Sequence, residues 1–289
     1  MTRLPGELSF QIRFKDGTTH RYDRIVGFAN AAGLAAIADR AGSSLTITRD
    51  TVGGVFGRIT RVSEPAGRML DFAYDAQGRV TAITDPLGRV VHYAYDALGR
   101  LTTVTDPAGG VTRYTYDGSH RILTITDARG ITFLQNDYDA QGRAIRQTQA
   151  DGGAWSFAYT VTGGVVTETT VTDPRGTPTR YRFNTEGFTL SRTDGVGQAT
   201  TVDYEPGTNL PAVVTDPLGR VTRFTHDAQG NVTAITDPAG GSLRFTYEPA
   251  FSRVTSVTHP LGNTTRLAYD SQGNLSGVTD PLGHRTTLA

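Results

Sequence analysis

Large apolar side chains fall two residues apart in a series of short runs: Phe72/Tyr74, Tyr93/Tyr95, Tyr114/Tyr116, Phe157/Tyr159, Tyr181/Phe183 and Phe245/Tyr247. Between the members of each pair lies a small or polar residue such as Ala73, Ala94, Thr115, Ala158 or Thr246. Side chains alternate across a β-strand, so this period places both aromatics on one face and the residue between them on the other. The runs that intervene behave differently. Their large apolar residues stand three apart, as in Val80/Ile83, Leu101/Val104, Ile122/Ile125, Val232/Ile235, Val254/Val257 and Leu275/Val278. Strict alternation sends such a pair to opposite faces. Two arrangements remove the conflict: both faces are partly covered, or a β-bulge after the Gly-Arg step returns the pair to one face.

The runs are separated by two kinds of turn signal. The first is Asp75-Ala-Gln-Gly78, recurring as Asp96-Ala-Leu-Gly99, Asp117-Gly-Ser-His120, Asp139-Ala-Gln-Gly142, Asn184-Thr-Glu-Gly187, Asp227-Ala-Gln-Gly230 and Asp270-Ser-Gln-Gly273. The second is Glu64-Pro-Ala-Gly67, recurring from Asp85-Pro-Leu-Gly88 to Asp280-Pro-Leu-Gly283, with His259-Pro-Leu-Gly262 as a variant. Aspartate at the first position accepts a backbone N–H two residues on, proline presets φ at the second, and glycine at the fourth tolerates positive φ. Each signal therefore reverses the chain, giving two antiparallel strands per unit. Successive units step by 21 or 22 residues and the two series interleave.

Such self-similarity predicts an all-β fold: a repetitive antiparallel β-sheet of hairpin repeats. Residues 30–289 read as one array of about ten units, and residues 1–29 as a degenerate N-terminal β segment. Asn30-Ala-Ala-Gly33 matches the first turn, Ile37 to Gly42 the approach to the second, and Asp50 to Gly57 a lengthened loop. A second worn zone lies between Ala150 and Gly164, where Trp155 takes an aromatic slot.

The charge balance is 28 basic against 28 acidic residues, almost all of the former arginine, so no basic surface for nucleic acid or anionic membrane is implied. Arginines at fixed repeat positions read as solvated or ion-paired. Cysteine is absent, which removes disulfides, thiolate metal sites and thiol nucleophiles together. The 34 glycines and 13 prolines recur at fixed spacing and do not cluster as linkers, which argues against disorder. The most apolar stretch, Ile25 to Ala38, is too short and interrupted to span a bilayer.

At Tyr95-Asp96-Ala97-Leu98-Gly99-Arg100-Leu101, followed by Thr105-Asp106-Pro107-Ala108-Gly109, the sequence resembles the YD-repeat, or Rhs, family. That family includes bacterial Rhs toxins, cocoon-forming subunits of toxin complexes, wall-associated bacterial proteins and the extracellular part of teneurins. The resemblance covers roughly Asn30 to the end and implies a sheet of YD/Rhs hairpin repeats spiralling into a shell or tube. It also implies a secreted or cell-surface bacterial protein whose partners are the remaining repeats, or a cargo domain, of a longer polypeptide. Some toxin members carry an aspartyl self-cleavage segment, but the Asp-Pro steps here lie in the turn register, so no catalytic residue carries over. About twenty strands at roughly 4.8 Å make a sheet about 95 Å wide, which rolled once gives a tube roughly 30 Å across. That is too narrow for a folded enzyme, so the chain reads as part of a wall, or as a narrow tube or stacked spiral, and not as a complete container; with no capping element visible after Asp280-Pro-Leu-Gly283 it reads as a fragment of a longer array.

No other chemistry emerges. The six histidines lack the close spacing of a zinc motif, each acidic turn offers one carboxylate where a calcium loop needs several, and no glycine-rich phosphate loop opens a helix. Asp117, Ser119 and His120 share a turn, which is not triad geometry. The expectation is a non-enzymatic module with no catalytic, cofactor or metal residues. Two further readings stand beside the shell: a glycan- or cell-surface-binding adhesin module centred on Trp155, and a filament self-associating through uncapped strand edges.

Overall fold

The computed structural model describes residues 2–3, 9–14, 16–24, 32–50, 57–271 and 273–288. Among these the regular structure is entirely β, in 27 strands. Two compact units divide the chain: Met1–Asn136 with Gln149–Asp151, and Asp137–Thr148 with Gly152–Ala289. In the first, strands such as Met69–Tyr74, Val80–Thr84, Val90–Tyr95 and Leu101–Thr105 pair antiparallel, each with the next along the chain. The second repeats that meander, for example through Val221–His226, Val232–Thr236, Ser242–Tyr247 and Val254–Thr258.

The conflict between the two apolar periods is resolved by a bulge. Leu101 stands opposite Tyr95 and Val104 opposite Tyr93, with the register slipping between Leu101 and Thr103. The extra residue, Thr102, turns its hydroxyl to the Ala94 carbonyl at 3.2 Å. Val80 and Ile83 meet Tyr74 and Phe72 in the same way, and Val254 and Val257 meet Tyr247 and Phe245. One extra residue converts a spacing of three into an effective spacing of two, so aromatics and aliphatics share one face.

That face is only half-buried. In Val90–Tyr95 the tyrosines are partly covered while His92 and Ala94 are exposed. Ala35, Ala36 and Ala234 are the buried apolar side chains among the described residues. The accessible surface is 17922 Å², against roughly 12,000 Å² for a compact monomer of 31.0 kDa. The strand contacts described join sequence neighbours, so each unit is a single layer stabilised by side chains packing along the sheet.

The worn regions are informative. Asp39 to Gly42 forms a second-type turn, with Gly42 N–H donating to the Asp39 carbonyl at 3.2 Å. The expected Asn30–Gly33 turn is corrected: Gly33 and Ala32 belong to strand Ala32–Ala38, paired with Asp23 and Arg24, while Asn30 and Ala31 lie outside the described residues. Glycine there sits in a ladder, where pairing and not turn chemistry fixes its backbone. Of the lengthened loop, residues 51–56 lie outside the described residues, and its ends meet through Gly57 N–H donating to the Asp50 carbonyl at 2.9 Å. Between Tyr159 and Val165 no aspartate follows the tyrosine, and strand Ala154–Thr162 runs on into a two-residue turn at Gly163 and Gly164, with φ of 60° and 83°.

Candidate functional site

The chemistry of the chain concentrates in the turns, and the Asp96 turn shows how. Asp96 N–H donates to the Arg100 carbonyl at 2.9 Å and Gly99 N–H to the Asp96 carbonyl at 3.0 Å. Gly99 has φ of 81°, the left-handed region that glycine enters without a Cβ penalty. The carboxylate is fully occupied: Oδ1 accepts the Leu98 and Arg100 N–H groups, each at 2.9 Å, and Oδ2 accepts Arg100 Nε at 2.7 Å. These bonds hold the Asp96 carboxyl below the usual range, the Arg100 backbone N–H most strongly, then its side chain, against partial desolvation.

Arg100 then links this turn to the next one along the same rim. Its guanidinium lies 5.0 Å from the Tyr116 ring centroid and its Nη1 donates to the Asp117 carbonyl at 2.9 Å. Tyr116 in turn donates its hydroxyl to the Leu101 carbonyl at 2.8 Å. Leu101 begins the bulge, where the ladder is interrupted, so the phenol supplies a partner beside the break. Tyr74, Tyr95, Tyr159, Tyr204, Tyr247 and Tyr269 repeat this bond, each to the residue fifteen positions earlier. Burial pushes the Tyr95 and Tyr116 phenols up. The Arg-over-Tyr stack recurs for Arg58/Tyr74, Arg79/Tyr95, Arg143/Tyr159 and Arg253/Tyr269 at 4.6–5.0 Å.

Neither the arginine bridge nor the hydroxyl bond is evident from strand periodicity. A signal for the first was present: Arg79, Arg100, Arg121 and Arg143 each follow directly on the fourth turn position. Ion pairing at fixed repeat positions is what those arginines do, at 2.6–2.7 Å from their turn aspartates. Two first-type turns, Glu205 to Leu210 and Glu248 to Arg253, also escape the four-residue pattern because each is one residue longer. The 21–22-residue period alone marks their place.

The residues weighed for catalysis or ligands are used structurally. Asp117 accepts the Ser119 and Arg121 N–H groups and Arg121 Nε, while His120 occupies the left-handed slot of its turn with φ of 64°. His226 stands in a tyrosine slot and pairs through Nδ1 with Glu205 at 3.0 Å, and His284 pairs with Asp280 at 2.8 Å. Among the described residues no group of three or more acidic, histidine or cysteine side chains converges as a metal site. Trp155 is half-buried on the face of Phe157 and Tyr159, opposite Gln147.

The repeat family described as RHS Repeat matches residues 55–90, 74–111, 95–132, 207–242 and 247–285, together just over half of the chain. Curated proteins show no significant sequence match. Among solved structures, a crystal structure of TcdB2-TccC3-Cdc42 is similar over 92% of this chain and 18% of its own, at 12% identity and a TM-score of 0.55. One of TcdB2-TccC3 without its hypervariable C-terminal region is similar over 91% of this chain and 16% of its own, at 13% identity and the same TM-score of 0.55. This chain thus spans less than a fifth of those chains, and at such identity the likeness is one of fold. With the same hairpin unit matched by the family in five places over more than half of the chain, the chain belongs to the RHS Repeat family.

Proposed function

We propose that the chain is a wall segment of an encapsulating shell, part of a larger secreted or surface-delivered bacterial protein, and that it acts mechanically and not as an enzyme. The observation that carries this reading is the assignment of the polar turn chemistry. Carboxylates, guanidiniums and phenols that could serve a reaction are bound to backbone and to one another in successive turns. A sheet so fastened resists local opening, because each turn is held by its neighbours as well as by its own ladder. The fold likeness to chains of which this one spans under a fifth supports a segment of something larger.

The test is to read the coding region on both sides of these 289 residues and to express the whole polypeptide. A hollow particle by electron microscopy, with a non-repeat domain protected from protease until the repeats are unfolded, is the expected result. A non-repeat domain digested equally fast in the native protein overturns the shell reading.

A further inference from the structure

The chain carries as many acids as bases, but the two are not spread alike over the sheet. The eight strands from Pro211–Thr215 to Arg285–Thr287 contain Arg223, Arg244, Arg266 and Arg285 and no aspartate or glutamate. All four arginines are exposed. Arg223 alternates with Phe224, Arg244 with Phe245 and Arg266 with Leu267, so they stand on the face opposite the aromatic one. Thr279 lies opposite both Arg266 and Arg285, which puts Arg285 on that face too. Among the described residues none of the four meets a carboxylate. The adjoining turn arginines do, Arg220 with Asp216 and Arg253 with Glu248, and in the first unit the strand residue Arg61 pairs with Asp71 at 2.6 Å.

The fold does not require arginine there. His92, Ser156 and Thr201 hold the same strand position elsewhere. Each arginine is two strands from the next, so neighbours stand about 10–12 Å apart and the strip runs about 30 Å. Its floor is made of small side chains: Val213, Ala234 and Ser256 lie opposite Arg223, Arg244 and Arg266 on one flank, and Thr236, Thr258 and Thr279 on the other.

We propose that this strip is a docking surface for an acidic polypeptide segment. Its charge is of one sign and unneutralised, so the occupant is anionic, and a guanidinium fork matches a carboxylate with two hydrogen bonds. A second copy presenting the same face sets arginine against arginine. Further repeats of this kind offer no free carboxylate, since each is held within its own turn, as Asp216 and Asp227 are. Duplex DNA carries a charge about every 1.7 Å of axis, far denser than one cation per 10–12 Å. These eight strands also put no aromatic ring on this face on which unpaired bases could stack. An extended polypeptide suits the spacing, because every fourth side chain returns to one face after about 13 Å and neutral residues between them can rest on the small floor. The inference goes beyond the shell reading and does not depend on it: a strip that binds nothing leaves a wall segment a wall segment.

Fluorescence anisotropy of a labelled deca-glutamate peptide, which spans the strip when extended, titrated with the 289-residue chain tests it. Saturable binding at low salt that weakens as salt rises is expected. Arg223→Gln, Arg244→Gln and Arg266→Gln together should weaken it about tenfold or more. The charge-matched triple Arg113→Gln, Arg146→Gln and Arg175→Gln, exposed arginines away from the strip, should change it less than about twofold. All six side chains are exposed, so neither circular dichroism melt should move. No binding at low salt overturns the proposal. Equal loss in the two triples does so too, as does strip-dependent binding of deca-thymidylate tighter than that of deca-glutamate, which would assign the strip to nucleic acid.

Discussion

Between Arg58 and Thr126 the lattice is nearly uniform, whereas between Pro178 and Arg253 its slots are filled by a different residue in almost every turn. In the uniform region aspartate begins the first-type turn, arginine follows it and tyrosine receives the arginine. In the varied region Asn184 begins the turn and accepts the same two N–H groups, at 3.0 and 2.9 Å, with its amide oxygen. Phe188 replaces the arginine and meets Tyr204 edge-on, 6.0 Å between centroids. Glu205 and His226 replace an aspartate–tyrosine relation by a hydrogen bond of 3.0 Å, and Asn231 replaces an arginine while still bonding Asp227 at 2.9 Å. What persists is an oxygen acceptor at the turn's first residue, a left-handed residue near its end and the bulge. What varies is the cation, so backbone geometry is the fixed requirement and the charge relay one of several ways to brace it.

Acid gives the largest separation of the two. Asp75, Asp85, Asp96, Asp117, Asp127 and Asp139 all have lowered values, held down by the N–H groups and arginines of their own turns. A carboxyl lowered on folding stabilises the native state above its unfolded value and ceases to do so as pH falls through its folded value. Stability should therefore hold down to the ordinary aspartate value of 3.8 and fall below it. Hydrogen exchange at low pH should show the uniform region opening before the turn at Asn184, whose amide does not titrate. Simultaneous loss would show that the carboxylates are not the brace.

Tyrosine truncation comes next. Tyr95→Ala should cost about 2–3 kcal/mol and Tyr95→Phe about 1 kcal/mol, the latter being the hydroxyl bond to Val80. Tyr204→Phe should cost the same, since its hydroxyl serves Thr189 alike. High salt, read by urea melts, should lower the penalty of Tyr95→Ala by screening the Arg79 stack and leave that of Tyr204→Ala unchanged. The smallest effect is a gain. His120→Gly relieves a non-glycine residue at φ of 64° and should raise stability by about 1 kcal/mol in thermal melts.

Much of this architecture is legible from periodicity because the array is governed by local rules. A strand face follows from alternation, and a turn from Asp, Pro and Gly within four residues, so Tyr93 to Gly109 announces its own conformation. The spacing of Leu101 and Val104 narrows the choice to two arrangements but not to one, since a bulge is a property of two paired strands and Tyr95 must be seen opposite Leu101. The bonds from Tyr116 to Leu101 and from Arg100 to Asp117 likewise join groups fifteen and seventeen residues apart. Those partners meet because antiparallel pairing of Leu101–Thr105 with Val111–Tyr116 brings the start of one strand beside the end of the other. Sequence alone determined the repeat, the turns and the shared aromatic face. The tertiary structure decided the register and the relay between turns, because each depends on which strand lies beside which.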